Sequence, residues 1–463
     1  MEHNEYYAYR RDLPVSGEWD LVVAGGGPAG TTAALAAARH GLKVCLIEQT
    51  GALGGMGSNG YVSSWYCLGN NVETMVGGLA REIPERLYEA GGVEPGRSPE
   101  EWLVTKRGFG FDPETLKVLL DRMCAESGVT VFFASRVVDT VGGTVPGSLD
   151  GLVLSGPEGL RVVKGTTIID ATGDGTISRM AGFPVRRAGR DTERIMAPTL
   201  CARMVGIDYK RFDRKRDQQA LVDQAVKDGF FSQPDRHVPG LFRTGEQNAI
   251  MNAGHLFDTD ALETSSLSNA YAWGRRLAHE YTRFFRERAP GCEEIELAAT
   301  ANLMGVRESI RILGEYDLTW DDFRIRRTFH DQIGIYCKQV DIHVYDTSPE
   351  EYARFQAEFE SEGDAKPADG EYYGIPYGVL VPKGSINTWA AGRCVSTDPM
   401  VNGSLRDQPG CMLLGEAAGT AAAQHVRTGQ PAHALDTTEL VRTLRGAGSK
   451  LPQREIQREM TRG

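Results

Sequence analysis

The 463-residue sequence predicts an α/β protein: a central parallel sheet with helices, interrupted by an inserted α+β domain. Three observations support this. A strand, a glycine cluster, a helix and a second strand follow one another between Trp19 and Glu48. A second strand-and-turn unit runs from Thr166 to Gly175. Glycine- and alanine-rich sequence of the same character returns at 386–423, after a long stretch rich in charged and aromatic residues.

The first unit is the most informative. Asp20 to Ala24 is a short apolar run, Thr31 to Arg39 is alanine-rich and helical, and Lys43 to Glu48 is a strand ending in an acid. Between them Gly25, Gly27 and Gly30 fit the G-x-G-x-x-G spacing, with Pro28 and Ala29 inside it. That order describes a Rossmann-like dinucleotide site. One glycine makes the tight turn, the second lets backbone approach a pyrophosphate, and the third allows close helix–strand packing. The helix start presents unpaired N–H groups to the phosphates, and Glu48, followed by Gln49, is placed to bind a ribose hydroxyl. The loop after it, with Gly54, Gly55 and Met56, carries too many glycines for a helix or strand interior and suits close approach to a flat or charged ligand.

Composition limits the alternatives. The net charge of −11 argues against broad nucleic-acid or anionic-membrane binding. No apolar run is long enough to span a bilayer, and the N-terminal residues lack the apolar core of a secretory signal. The eight cysteines form no C-x-x-C pair, which fits a reducing cytoplasm and gives no zinc ribbon; Cys45 and Cys124 read as core residues.

Along the chain, residues 1–17 read as a polar arm, 77–88 as an amphipathic helix, and 91–110 as a Gly- and Pro-rich surface insertion. Asp112 and Pro113 start a helix as N-cap and first residue. Val137 to Val163 reads as a meander of short strands. The buried strand ending at Asp170 leads into a turn, Ala171, Thr172, Gly173 and Asp174, where backbone can approach a cofactor; Asp170 and Asp174 are equally suited to plain turn or capping roles. Arg211 to Arg216 reads as a solvated basic face and 358–370 as a polar loop. The domains expected are a discontinuous cofactor domain, 15–185 and 386–430, an inserted substrate or cap domain, 186–385, and a C-terminal helix and tail, 431–463.

Four blocks together resemble the FAD-dependent oxidoreductase family, within the flavoproteins that include fumarate reductase flavoprotein subunits. They are Val23–Ala34 with Glu48–Met56, Ile169–Gly175, Gly305–Tyr316 with Leu318 and Thr319, and Ala391–Cys394 with Gly403–Ala423. The resemblance implies FAD rather than NAD, with Gly392, Arg393, Gly415, Gly419 and Thr420 adding to the cofactor site from the C-terminal side. It also implies that Arg406 lies near flavin or substrate. One departure is that Ile310 precedes Arg311 where the family often pairs arginines. A second dinucleotide fingerprint is absent, so the electron donor or acceptor stays open.

Candidate chemistry sits in the insertion. Arg307 and Arg311, four residues apart, share a face if helical and can clamp a carboxylate; an ion pair with Glu308 or Glu315 is the alternative. His330, Asp331, Asp341 and His343 are the titratable candidates, with His343 and Asp341 on one face of an alternating, strand-like stretch and His343 the base for oxidation. His330 and His343 are too far apart for a local metal pair, so no metal is expected. The resulting expectation is a soluble FAD-dependent dehydrogenase or reductase that moves a hydride to or from a small organic substrate, a carboxylate, sugar or polyol, using Arg307, Arg311, Asp331, His343 and Arg406. Alternatives are a flavin monooxygenase, an FAD-binding subunit of an electron-transfer or RNA-modifying complex, and a protein using FAD structurally. No nucleic-acid or membrane partner is expected, and an oligomer is compatible with the sequence.

Overall fold

The computed structural model describes residues 7–212, 218–237, 240–357 and 363–452. Its organising layer is a seven-stranded sheet. The strand Val15–Ala24 pairs in parallel with Val44–Ile47 on one side and with the long strand Gly159–Asp170 on the other. Val44–Ile47 continues in parallel to Thr130–Phe132. On its far side the long strand changes partner along its length. Its first half closes an antiparallel meander with Leu149–Gly156 and Arg136–Gly142, and its last residues pair in parallel with Thr388–Ala390. The chain that leaves the sheet after Asp170 thus returns to the same strand end.

Apolar residues on both faces explain why these strands are central: Leu21, Val22, Val23 and Ala24 are all fully buried. Helix Pro28–Arg39 covers one face, and the long helix Gln408–Thr428 lies directly against it. Small residues make that approach possible. A Cβ on Gly415 would stand 2.0 Å from the Ala29 carbonyl oxygen, and one on Gly419 would stand 2.2 Å from that of Ala33. The Thr32 hydroxyl crosses the seam to donate to the Met412 carbonyl at 3.0 Å. Gly415 and Gly419, and Thr420, whose hydroxyl bonds within the helix to Glu416 O, are thus accounted for by helix packing.

A second core, from Leu200 to Met304, is built on a four-stranded antiparallel sheet of Ala202–Val205, Gly240–Arg243, Ala249–Asn252 and Glu296–Thr300. Helix Thr264–Arg288 packs on it through Ala270, Gly274, Leu277, Ala278, Tyr281 and Phe285, a stripe at helical spacing. The inserted body is therefore narrower than 186–385. Leu318, Phe323, Ile333, Ile335, Tyr373 and Val379 belong to the main core, where the hairpin of Gln332–Tyr336 and Tyr373–Pro376 packs.

Other elements follow the sequence closely. Asp112 caps helix Pro113–Glu126, its carboxylate accepting the Thr115 N–H at 2.9 Å. The amphipathic segment forms helix Gly78–Glu89. Residues 91–110 depart from expectation: they are not a surface insertion, because Trp102 is fully buried against Phe109, ring centroids 4.8 Å apart. All eight cysteines are free and buried. The C-terminal helix is Thr437–Gly446. The basic run at 211–216 and the loop at 358–370 fall partly outside the described residues, as do the ends of the arm and tail.

Two predictions follow from the helix seam. Gly415→Ala forces the two helices apart and costs about 1–3 kcal/mol, read by urea unfolding, with loss of bound FAD. Glu416, buried beneath the Leu79 N–H, has its pKa pushed up from 4.5 to about 7 by burial. A raised carboxyl pKa gives stability that is complete below pH 4.5 and lost as pH rises through about 7. Glu416→Gln should therefore stabilise the protein at pH 8 by on the order of 3 kcal/mol, an advantage that vanishes near pH 5 in thermal melts.

Candidate functional site

The fingerprint residues lie where three strand ends meet. Gly25, at φ +102°, touches the chain leaving the long strand: a Cβ there would be 2.4 Å from the Ala171 carbonyl. Only glycine fits both that backbone and that contact. Gly27 is the N-cap of helix Pro28–Arg39 and no side chain caps it, although Ala29 and Gly30 in the first turn are buried. Buried first-turn N–H groups need an acceptor, and an anionic phosphate supplies one. Space is open in front of Gly27, where a Cβ would meet nothing nearer than 3.9 Å. A small, largely apolar recess adjoins it, lined by Pro28, Thr31, Gly54, Ile83, Leu116, Leu120, Gln408 and Met412. These features fit a dinucleotide.

Glu48 is buried and already engaged. One carboxylate oxygen accepts the Gly26 N–H at 2.7 Å; the other accepts the Thr50 N–H at 2.7 Å and its hydroxyl at 2.8 Å. The acid thus pins the following loop to the fingerprint, and its remaining lone pairs are what a ribose hydroxyl would use. Gln49 is exposed. Gly54 donates its N–H to Gly26 O at 2.8 Å, and Gly55 lies against Gly27, with Met56 next in a short 3-10 turn. From the C-terminal side Gly392, at φ +94°, comes within 3.1 Å of the Ala29 Cβ if given a Cβ of its own.

The turn after the long strand divides its acids between two tasks. Asp170 is fully buried and accepts from Thr172 and Ser178, a turn and capping role. Asp174 accepts from the Ser309 hydroxyl at 2.7 Å and from Arg393 at 2.5 Å. Arg393 also donates to the carbonyls of Gly173, at 3.0 Å, and Val306. It ties the turn with Thr172 and Gly173 to the segment carrying Arg307.

The expected arginine pair separates. Residues 307–311 are not helical: Arg307 lies in irregular chain and Arg311 in strand Ile310–Ile312. Arg311 is buried in an ion pair with Glu308 at 2.7 Å and donates to Thr397 O, so it holds the fold, as the ion-pair alternative describes. Arg307 points elsewhere, donating to Ala197 O and, at 3.0 Å, to the Thr199 hydroxyl. No carboxylate among the described residues forms a salt bridge with it. Burial and the neighbouring Arg406 charge push its pKa down to about 10. Arg406 is the C-cap of the short helix Pro399–Leu405. It donates to Asp341 O at 2.7 Å and approaches the Asp341 carboxylate at 3.5 Å, while its buried Nε has no partner among the described residues. The cationic pair is thus Arg307 with Arg406.

His343 and Asp341 do meet, Nε2 to Oδ1 at 3.3 Å, but in irregular chain rather than a strand. Nδ1 of His343 faces Nε2 of His255 at 2.9 Å. Nδ1 of His255 in turn faces Asp235 Oδ2 at 2.9 Å. The ring of His237 stands 4.9 Å from that of His255 and 5.2 Å from that of His343, with one edge open to solvent. Burial, then the Arg307 charge, hold the His343 pKa well below its usual value, while His343, Lys338 and Arg406 hold Asp341 ionised. With both ring nitrogens turned to protein groups, His343 is poorly placed to act as the base. Asp331 stays apart from the cluster: its carboxylate faces the exposed His330 at 3.9 Å.

Asp235, His237 and His255 were not singled out from the sequence. No local ligand spacing links His237 to His255, which the fold joins across the second core. One signal was available, the repeated Asp-x-His tripeptide at 235–237 and 341–343.

Comparison with known proteins adds the family. A family model described as FAD dependent oxidoreductase matches residues 20–444. Digeranylgeranylglycerophospholipid reductase 2 of Methanothermobacter thermautotrophicus is 32% identical over 168 residues, 36% of this chain and 42% of that protein. A dihydrolipoyl dehydrogenase of Trypanosoma brucei brucei is 51% identical over 47 residues, 10% of each chain. The chain thus spans from a tenth to about two-fifths of the length of these curated relatives. Among solved structures, a geranylgeranyl bacteriochlorophyll reductase-like protein from Thermoplasma acidophilum is similar over 92% of this chain and 83% of that one, at 14% identity and a TM-score of 0.47. A flavin-dependent brominase is similar over 93% and 83%, at 14% identity and a TM-score of 0.45. Matched from the first strand to the C-terminal helix, the chain belongs to the FAD-dependent oxidoreductase family, an enzyme family whose cofactor is FAD.

Proposed function

We propose that the chain moves a hydride between FAD and a small anionic organic molecule, as a dehydrogenase or reductase, at the junction of its two cores. The observation that carries this reading is Arg307, a buried guanidinium, 8% exposed, with neutral acceptors and no ion-pair partner among the described residues. Buried charges are ordinarily paired, because an unpaired one costs several kcal/mol. A substrate carboxylate is the missing partner, and Arg406, with its unused Nε, is the second arm of the clamp. Bound FAD supplies the two-electron chemistry. The protein orients the anion and excludes water around it. His343 takes part by holding Asp341, which holds Arg406, so it is a positioning group rather than the base.

Anaerobic titration of the FAD-loaded protein tests this. Carboxylates with an oxidisable C–H, such as hydroxy acids, should reduce the flavin, or their oxidised counterparts should reoxidise the reduced flavin, and neutral sugars and amines should do neither; turnover of neutral compounds alone would overturn the reading. Incorporation of oxygen from O2 into product would mark oxygen-inserting chemistry instead. Arg307→Met should slow flavin reduction by carboxylates on the order of 100-fold while leaving thermal stability equal or higher, since it removes an unpaired buried charge. Arg406→Lys should keep the charge, lose the fork and raise KM more than it lowers kcat.

A further inference from the structure

We propose that His237, His255 and His343 form a three-histidine site for a divalent transition-metal ion of the zinc or ferrous class. The proposal goes beyond the anion clamp and does not depend on it. One ligand nitrogen from each ring lies within 4.8 Å of the others. That span closes onto a central ion by small rotations of the rings, given metal–nitrogen distances of about 2.0–2.1 Å.

Proton placement points the same way. Asp235 accepts from His255 Nδ1 at 2.9 Å, so that nitrogen carries the hydrogen and Nε2 presents a lone pair. Asp341 sits at 3.3 Å from His343 Nε2, so by the same reasoning His343 Nδ1 presents a lone pair. These two lone pairs face each other at 2.9 Å. Two acceptors at that distance repel unless a cation stands between or beside them. A carboxylate on the far nitrogen is also how proteins fix the tautomer and raise the basicity of a metal-binding imidazole.

One outer partner, Asp235, is held by several hydrogen bonds. Asp235 is almost fully buried and also accepts from the Tyr352 hydroxyl at 2.9 Å, the His237 N–H at 2.9 Å and the His255 N–H at 3.2 Å. Asp235, and Asp341 shared with Arg406, place negative charge behind the rings. The ring nitrogens of His237 have no hydrogen-bond partner among the described residues, and its solvent edge leaves room for an exchangeable fourth ligand. Three neutral imidazoles with an open position suit zinc or ferrous iron rather than magnesium or calcium.

Metal content of the untagged, FAD-loaded full chain tests this, with flavin content read on the same sample by absorbance. About one equivalent of zinc or iron per chain is expected. After chelation, cobalt(II) should rebind and give the visible bands of a low-coordinate site. His237→Ala, which breaks no hydrogen bond of its ring, should abolish both signals while the flavin spectrum and circular dichroism stay unchanged. Asp235→Asn should weaken cobalt binding about 10- to 100-fold. Absence of metal together with absence of a cobalt spectrum would leave a shared proton as the cation and overturn the proposal. Metal retained undiminished in His237→Ala would also overturn it, by placing the ion elsewhere. A metal-free protein with normal flavin refutes this site alone, whereas metal without flavin refutes the cofactor reading alone.

Discussion

The contact between helix Pro28–Arg39 and helix Gln408–Thr428 is the constraint from which the site is built. Gly415 and Gly419 meet the Ala29 and Ala33 carbonyls at distances no Cβ could tolerate, and Thr32 bonds across the seam to Met412. That contact fixes the helix whose uncapped start is the candidate phosphate site. It also fixes the start of the C-terminal helix, and with it Arg406, one residue beyond the preceding short helix. The proposed cofactor and substrate ends are therefore set by one closely packed pair of helices.

The second body reaches this frame through a few polar connections. Arg393 joins Gly173 and Asp174 to Val306, next to Arg307, so the buried cation is held in register with the turn at the strand ends. Asp341 joins Arg406 to His343, and His343 faces His255 and through it Asp235 in the second core. The junction thus collects two guanidiniums, three imidazoles and two carboxylates; His255, His343, Asp235 and Arg307 are buried, while His237 and Asp341 open to solvent. Among the buried members charge complementarity has a larger effect than on an open surface.

The cofactor half was legible in the sequence because its signals are local. A tight turn, a close backbone approach and a helix start each demand a residue type at a fixed offset, and Gly25, Gly27, Gly30 and Glu48 meet those demands. The substrate half was not, for the opposite reason. Arg307 and Arg311 have helical spacing but sit in irregular chain and a strand, so the inferred shared face does not exist. His237 and His255 are joined to His343 only by packing of the two bodies. The hydrophobic residues of 318–381 announce burial without saying which core receives them, so the insertion was drawn too wide. Gly415 and Gly419 show a related ambiguity: close helix packing and close ligand approach select the same residue.

In the proposed function an anion completes the charge balance between Arg307 and Arg406. A crystal structure of the FAD-loaded chain soaked with a bromine-labelled carboxylate measures it most directly. Anomalous bromine density is expected at the junction of the two cores, with the carboxylate oxygens bonded to Arg307 and Arg406. Carboxylate bound elsewhere, with both guanidiniums left facing only protein, would contradict it.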